Sequence, residues 1–158
     1  MSAQDPRNKF KSTDYEQQEQ PLPGLQSQLK PEPDCGETSY VGHGRLKGYK
    51  MLVTGGDSAI GRAAAIAYAK EGADVAINYL PSEDKDAQEV KQVIEEAGQK
   101  AVLLPGDIRD EQFNYDMVEE AHQQLGGLDN VTLVAGHQQY HDDIQGFDTQ
   151  SVSYTHLT

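Results

Sequence analysis

Met51-Leu52-Val53-Thr54-Gly55-Gly56-Asp57-Ser58-Ala59-Ile60-Gly61-Arg62 is the stretch whose reading decides the fold. A short apolar run stopped by glycines reads as a strand buried on both faces. From Ile60 the chain turns alanine-rich, through Ala63-Ala64-Ala65-Ile66-Ala67, and Gly72 closes that segment as a helix cap. A glycine turn between a buried strand and a helix lets unpaired N–H groups at the helix start face a diphosphate.

The same punctuation continues downstream. Val75-Ala76-Ile77 reads as a second strand, ended by Asn78, Tyr79 and Pro81. Ala87, Val90, Ile94 and Ala97 fall at helical spacing behind an acidic first turn of Glu83, Asp84 and Asp86. Ala101-Val102-Leu103-Leu104 is a third strand broken by Pro105-Gly106. Asp110 is placed to cap a third helix with the stripe Phe113, Met117, Ala121 and Leu125, stopped by Gly126-Gly127. Val131 to Ala135 is the fourth strand. Strand and helix alternate with short links, which predicts an α/β fold of Rossmann type: a partial, doubly wound parallel sheet in the order 3-2-1-4.

Residues 1–48 differ in composition. They hold five of the seven prolines together with six glutamines, and predict an extended arm ahead of a dinucleotide-binding half-domain over 49–151. The net charge is −13, and residues 50–158 carry 7 Lys and Arg against 19 Asp and Glu. An acidic body repels phosphate backbones and anionic surfaces, so neither nucleic acid nor membrane is an expected partner. A bound phosphate has to be held by local geometry. The single Cys35 rules out an intramolecular disulfide, and the first ten residues lack the apolar core of a signal peptide, so a cytoplasmic protein is expected.

Two rival readings of the turn stand beside this one, a Walker A loop and a plain tight turn whose glycines serve only chain geometry. A Walker A loop would need Lys and Ser or Thr where Arg62 and Ala63 stand. A plain tight turn would not need its place at the first strand-to-helix switch. His137, His141, Asp142 and Asp143 lie in a loop with no supporting residues, so no metal site is expected.

The segment from Thr54 to Gly61 resembles the Thr-Gly-x-x-x-Gly-x-Gly signature of short-chain dehydrogenase/reductases. Gly61-Arg62-Ala63-Ala64-Ala65-Ile66-Ala67, Glu71-Gly72-Ala73-Asp74-Val75-Ala76-Ile77 and Pro105-Gly106-Asp107 are similar to a narrower group of aldehyde reductases and glucose-dehydrogenase-like general stress proteins. Members of that group carry an arm like Gln26-Ser27-Gln28 to Pro31-Glu32-Pro33-Asp34, and the likeness runs from about residue 20 to about 150. It departs at two places. The middle glycine of the signature is Ala59, and the family's Asn-Asn-Ala-Gly reads Leu133-Val134-Ala135-Gly136.

The resemblance implies an NAD(P)-dependent oxidoreductase that reduces aldehydes or other carbonyls, or oxidises alcohols or sugars. Its alternative is a non-catalytic dinucleotide-binding module or an inactive fragment. The cofactor residues implied are Gly55, Asp57, Ser58, Ala59, Ile60, Gly61, Arg62, Asn78, Tyr79, Asp107, Ile108, Ala135 and Gly136. With Asn78 where NAD enzymes place an acidic residue, and Arg62 either available to a 2′-phosphate or simply solvent-facing in the helix's first turn, NADP is expected ahead of NAD. A small carbonyl or alcohol is the expected partner, and the arm implies a homotetramer. The family's proton donor is a Tyr-x-x-x-Lys pair with an upstream Ser. Tyr154 has no Lys partner, so no residue here is expected to be catalytic and the piece alone is expected to be inactive. Val152-Ser153-Tyr154-Thr155-His156-Leu157 is what a transposon end used in library preparation, GTCTCTTATACACATCT, encodes, so 152–158 is expected to be a non-native tail.

Overall fold

The structure is a computed structural model, and it describes residues 16–21 and 24–136. Within these, β1 (Lys50–Thr54), α1 (Ala59–Lys70), β2 (Asp74–Tyr79), α2 (Asp84–Glu96), β3 (Ala101–Pro105), α3 (Glu111–Leu125) and β4 (Asn130–Leu133) follow one another along the chain. The four strands are parallel and lie in the order β3-β2-β1-β4. The expected tail and the His137–Asp143 segment lie outside the described residues.

Period-two alternation sorts the strand residues onto two faces. Met51, Val53, Val75 and Ile77 pack with Ala65, Ile66 and Ala69 of α1 and with Ala87, Val90 and Ile94 of α2. Leu52, Ala76, Val102 and Leu104 meet Met117, Ala121 and Leu125 of α3 on the other face. The small residues of α1 matter here, because methyl groups let its backbone lie close to the sheet. β4 sits at the edge with Val131 and Leu133 exposed, the latter at 73%.

Two boundaries differ from expectation. β2 runs on through Asn78 and Tyr79 and does not stop at Ile77. A buried amide inside a strand is normally costly, but the Asn78 Nδ2 donates to the carbonyls of Leu104 (3.1 Å) and Gly106 (3.0 Å), which satisfies it. β4 is shorter than expected, ending at Leu133. Beyond it, the N–H groups of Val134 and Ala135 both donate to the Thr54 hydroxyl at 3.1 and 3.2 Å. That hydroxyl ties the end of β4 to the mouth of β1 where the family's two asparagines are missing.

The described part of the arm folds back onto its own chain. Lys70 Nζ, at the end of α1, donates to the carbonyls of Gly36, Glu37 and Tyr40. Glu71 then gathers the next stretch. Its carboxylate accepts from the Tyr40 hydroxyl, from the N–H groups of His43 (3.0 Å) and Arg45 (2.9 Å), and from the Arg45 guanidinium. These donors, the Tyr40 hydroxyl first, pull the Glu71 pKa from 4.5 down to about 2.

Two outcomes follow for stability. The Asp110 side chain caps α3 by accepting from Gln112 N (2.9 Å) and Phe113 N (3.2 Å), with Gly126 in the left-handed region at the other end. Asp110→Ala should lower the unfolding free energy by about 1 kcal/mol, read from urea titrations of both proteins. Glu71 has a depressed folded-state pKa, so its stabilisation is present above about 4.5 and fades as pH falls toward about 2. A pH series of thermal midpoints should lose this acid slope in Glu71→Gln, and an unchanged slope would contradict the role given to Glu71.

Candidate functional site

A cleft of about 640 Å³ opens at the carboxyl ends of the strands. This is where ligands bind in open α/β sheets. The turn after β1 forms one wall. Gly55 stands with a left-handed φ of +63°, and the Gly56 N–H donates across to the Asn78 carbonyl at 3.0 Å, locking the turn onto β2.

The start of α1 shapes the floor. The first helical bond runs from Arg62 N to the Ser58 carbonyl at 3.0 Å, so the N–H groups of Ala59, Ile60 and Gly61 precede it. Gly61 is where the turn and helix press together: a Cβ there would lie 1.8 Å from the Gly55 carbonyl oxygen. Ala59 holds φ at +45°, the only non-glycine residue with positive φ among those described. The family's glycine would adopt this at no steric cost, whereas an alanine is strained there. Its N–H is already taken, donating to the Gln26 Oε1 at 2.6 Å. The Ile60 and Gly61 N–H groups also precede the first helical bond and lie at the positive end of the helix dipole, where an anion is favoured.

Of the residues expected from sequence, Gly55, Asp57, Ser58, Ala59, Ile60, Asn78, Tyr79, Asp107, Ile108, Ala135 and Gly136 line the cleft together. Gly61 and Arg62 do not. Gly61 acts by its closeness to Gly55. Arg62 requires a correction: it is neither poised for a 2′-phosphate nor solvent-facing. It is buried, and its guanidinium pairs with Glu37 of the arm at 2.7 Å and Glu89 of α2 at 3.3 Å. Desolvating a guanidinium without such partners would be prohibitive, so the two carboxylates dictate where it points.

Asn78 lines the cleft, but its side-chain amide is committed to Leu104 and Gly106, as described above. Tyr79 donates its hydroxyl to Asp84 at 2.7 Å, and burial with that carboxylate raises its pKa. Asp107 accepts from the Arg109 side chain (Nε at 3.0 and 2.9 Å) and from its N–H, which lowers the Asp107 pKa.

Gly24, Leu80, Glu83, Gly106, Arg109 and Val134 complete the lining without having been singled out in the sequence. Glu83 and Asp57 bring two carboxylates to one region of the cleft. Burial raises the pKa of both, and the Asp57 charge raises Glu83 further. The acidic first turn before α2 was visible as a helix start; nothing in its spacing pointed it at the cleft.

The glycine turn, the start of α1 and a cleft at the strand ends fit a dinucleotide. The model of the short chain dehydrogenase family matches residues 50–155. An uncharacterized oxidoreductase of Escherichia coli (strain K12), YghA, is 58% identical over 96% of this chain and 51% of its own length. General stress protein 39 of Bacillus subtilis (strain 168) is 42% identical over 86% of this chain and 47% of its own. The chain thus spans about half the length of the curated relatives it matches. Among solved structures, a short-chain dehydrogenase from Burkholderia cenocepacia J2315 in complex with NADP superposes with a TM-score of 0.63 at 35% identity, covering 70% of this chain and 44% of that one. With its fold, its turn and these matches in agreement, the chain belongs to the short-chain dehydrogenase family.

Proposed function

We propose that the protein is a nicotinamide-dependent oxidoreductase that reduces an aldehyde or other small carbonyl, or runs the reverse oxidation of an alcohol or sugar. This chain supplies the half that binds the cofactor. The observation that carries the proposal is the tight glycine turn at the mouth of β1, where Gly55 and Ile60 line the cleft and the Ile60 and Gly61 N–H groups precede the first helical bond of α1. The dinucleotide supplies the hydride when bound. The chain's own residues grip the diphosphate through those amides, set Ile108 as an apolar surface beside the adenine, and close the far end with Ala135 and Gly136. Family likeness further supports a cytoplasmic homotetramer.

The choice between NAD and NADP turns on charge. Arg62 is spent on Glu37 and Glu89, and Arg109 is held by Asp107. Asp57 and Glu83 line the cleft next to Tyr79 and Leu80, below the strand end where cofactor choice is made. Two carboxylates favour a ribose hydroxyl and oppose a phosphate, so the proposal is that NAD(H) binds more tightly at neutral pH. That reverses the order expected from Asn78 and Arg62 in the sequence.

Calorimetric titration with ADP-ribose and 2′-phospho-ADP-ribose tests both points without any catalytic step. ADP-ribose should bind with saturation, and Gly61→Ala should weaken it at least ~10-fold, because the added Cβ would lie 1.8 Å from the Gly55 carbonyl oxygen and force turn and helix apart. At neutral pH the phosphorylated ligand should bind more weakly. The raised pKa values of Asp57 and Glu83 mean that acid neutralises them earlier than ordinary carboxylates. The gap between the ligands should therefore narrow as pH falls below neutral, helped by the 2′-phosphate itself protonating near about 6. Glu83→Gln should close part of the gap already at pH 7.5; an unchanged ratio in that variant would rule out the charge argument.

A further inference from the structure

The arm reaches the cofactor turn at one residue. Gln26 lies in a single 3-10 turn, Gln26–Gln28, and is buried at 3% exposure although it is polar and sits in a proline-rich stretch. Each of its polar groups is engaged. The backbone N–H donates to Asp86 Oδ2 at 2.6 Å, the Nε2 lies 3.3 Å from Cys35 Sγ, and the Oε1 accepts from Ala59 N at 2.6 Å. Asp86 is itself fully buried in the first turn of α2. Gln26 therefore bridges α2 to the first residue of α1. Gly24, two residues earlier, forms part of the cleft wall.

The residue it grips is the strained one. Ala59 holds φ +45° where a side chain is disfavoured. Left to itself, the turn would relax toward negative φ and rotate the peptide planes that follow. Those planes carry the Ile60 and Gly61 N–H groups. A hydrogen bond to the Ala59 N–H from a buried, fixed acceptor opposes that rotation. It also removes the Ala59 donor from the cleft, which narrows the anion site to the two amides beyond it.

We propose that Gln26 is a positioning residue of the dinucleotide site: the arm, in the same chain, clamps the left-handed Ala59 and so holds the Ile60 and Gly61 amides in their anion-accepting orientation. The clamp takes over the role that a glycine at position 59 would play through its own conformational freedom. This inference rests on the dinucleotide reading of the cleft. It adds that the arm is part of the binding site and not only a surface for other subunits.

The test uses the chain as it stands, with ADP-ribose as the probe. Gln26→Met keeps the volume and removes the acceptor; it should weaken ADP-ribose about tenfold, and adding Ala59→Gly to it should recover most of that loss. The exposed arm variant Gln28→Ala should bind as the parent does. A general loss of packing would not be rescued by a change at position 59, so the rescue separates positioning from mere stability. Because Gln26→Met could fail to fold, amide hydrogen exchange on the unaltered chain gives a second readout. Ala59 should be protected without ligand, with Ile60 and Gly61 exchanging fast and becoming protected only when ADP-ribose is added. Equal binding by Gln26→Met, a loss that Ala59→Gly leaves unrepaired, or exchange at Ala59 as fast as at Ile60, would overturn the clamp while leaving the dinucleotide reading in place. An unaltered chain that binds no ADP-ribose would overturn both.

Discussion

The start of α1 can lie where it does only because its third residue has no side chain. Gly61 brings the helix so close to the end of β1 that a methyl group would sit 1.8 Å from the Gly55 carbonyl. That contact sets the height of the helix above the sheet, the tightness of the turn, and the direction of the amides that open onto the cleft. The two core clusters then hold the sheet and helices in register around it. Placed anywhere else, the same amides would point at water. Because the chain is strongly acidic overall, the local donors have to act against the global field, and short range is what allows them to win.

The turn shows how a family feature survives a substitution. Where a glycine would tolerate a left-handed backbone freely, Ala59 needs support, and the arm supplies it through Gln26. At the end of β4, the Thr54 hydroxyl accepts from two backbone N–H groups, those of Val134 and Ala135. In both places a hydrogen bond from a distant segment fixes a local backbone turn. Glu71 extends the pattern, collecting four donors from the arm so that residues 40–46 pack against the end of α1.

How much of this was legible in the sequence depended on range. The three helices, the strand order and most of the cleft lining could be read, because glycine punctuation and apolar periodicity act within a few residues. The Asp110 cap and the Gly126 stop are of this kind. Arg62 could not be read, because its partner Glu37 lies 25 residues away in a segment with no periodic pattern. Asn78 was misplaced for a related reason: a polar residue reads as a strand end, whereas Leu104 of β3 and Gly106 just after it supply the carbonyls that let it be buried. Gln26 was legible as part of the arm's resemblance, but nothing in its spacing pointed it at Ala59, 33 residues away. Glu83 was visible as a helix-start residue, but its place in the cleft is set by the short 3-10 turn that precedes α2.

The claim on which the rest stands is that the diphosphate of a nicotinamide dinucleotide lies on the first turn of α1. A crystal structure of the chain with ADP-ribose tests it most directly. The account predicts diphosphate oxygens within hydrogen-bonding distance of the Ile60 and Gly61 nitrogens, with the adenine beside Ile108. A diphosphate bound elsewhere on the chain, with those two nitrogens facing solvent, would contradict it.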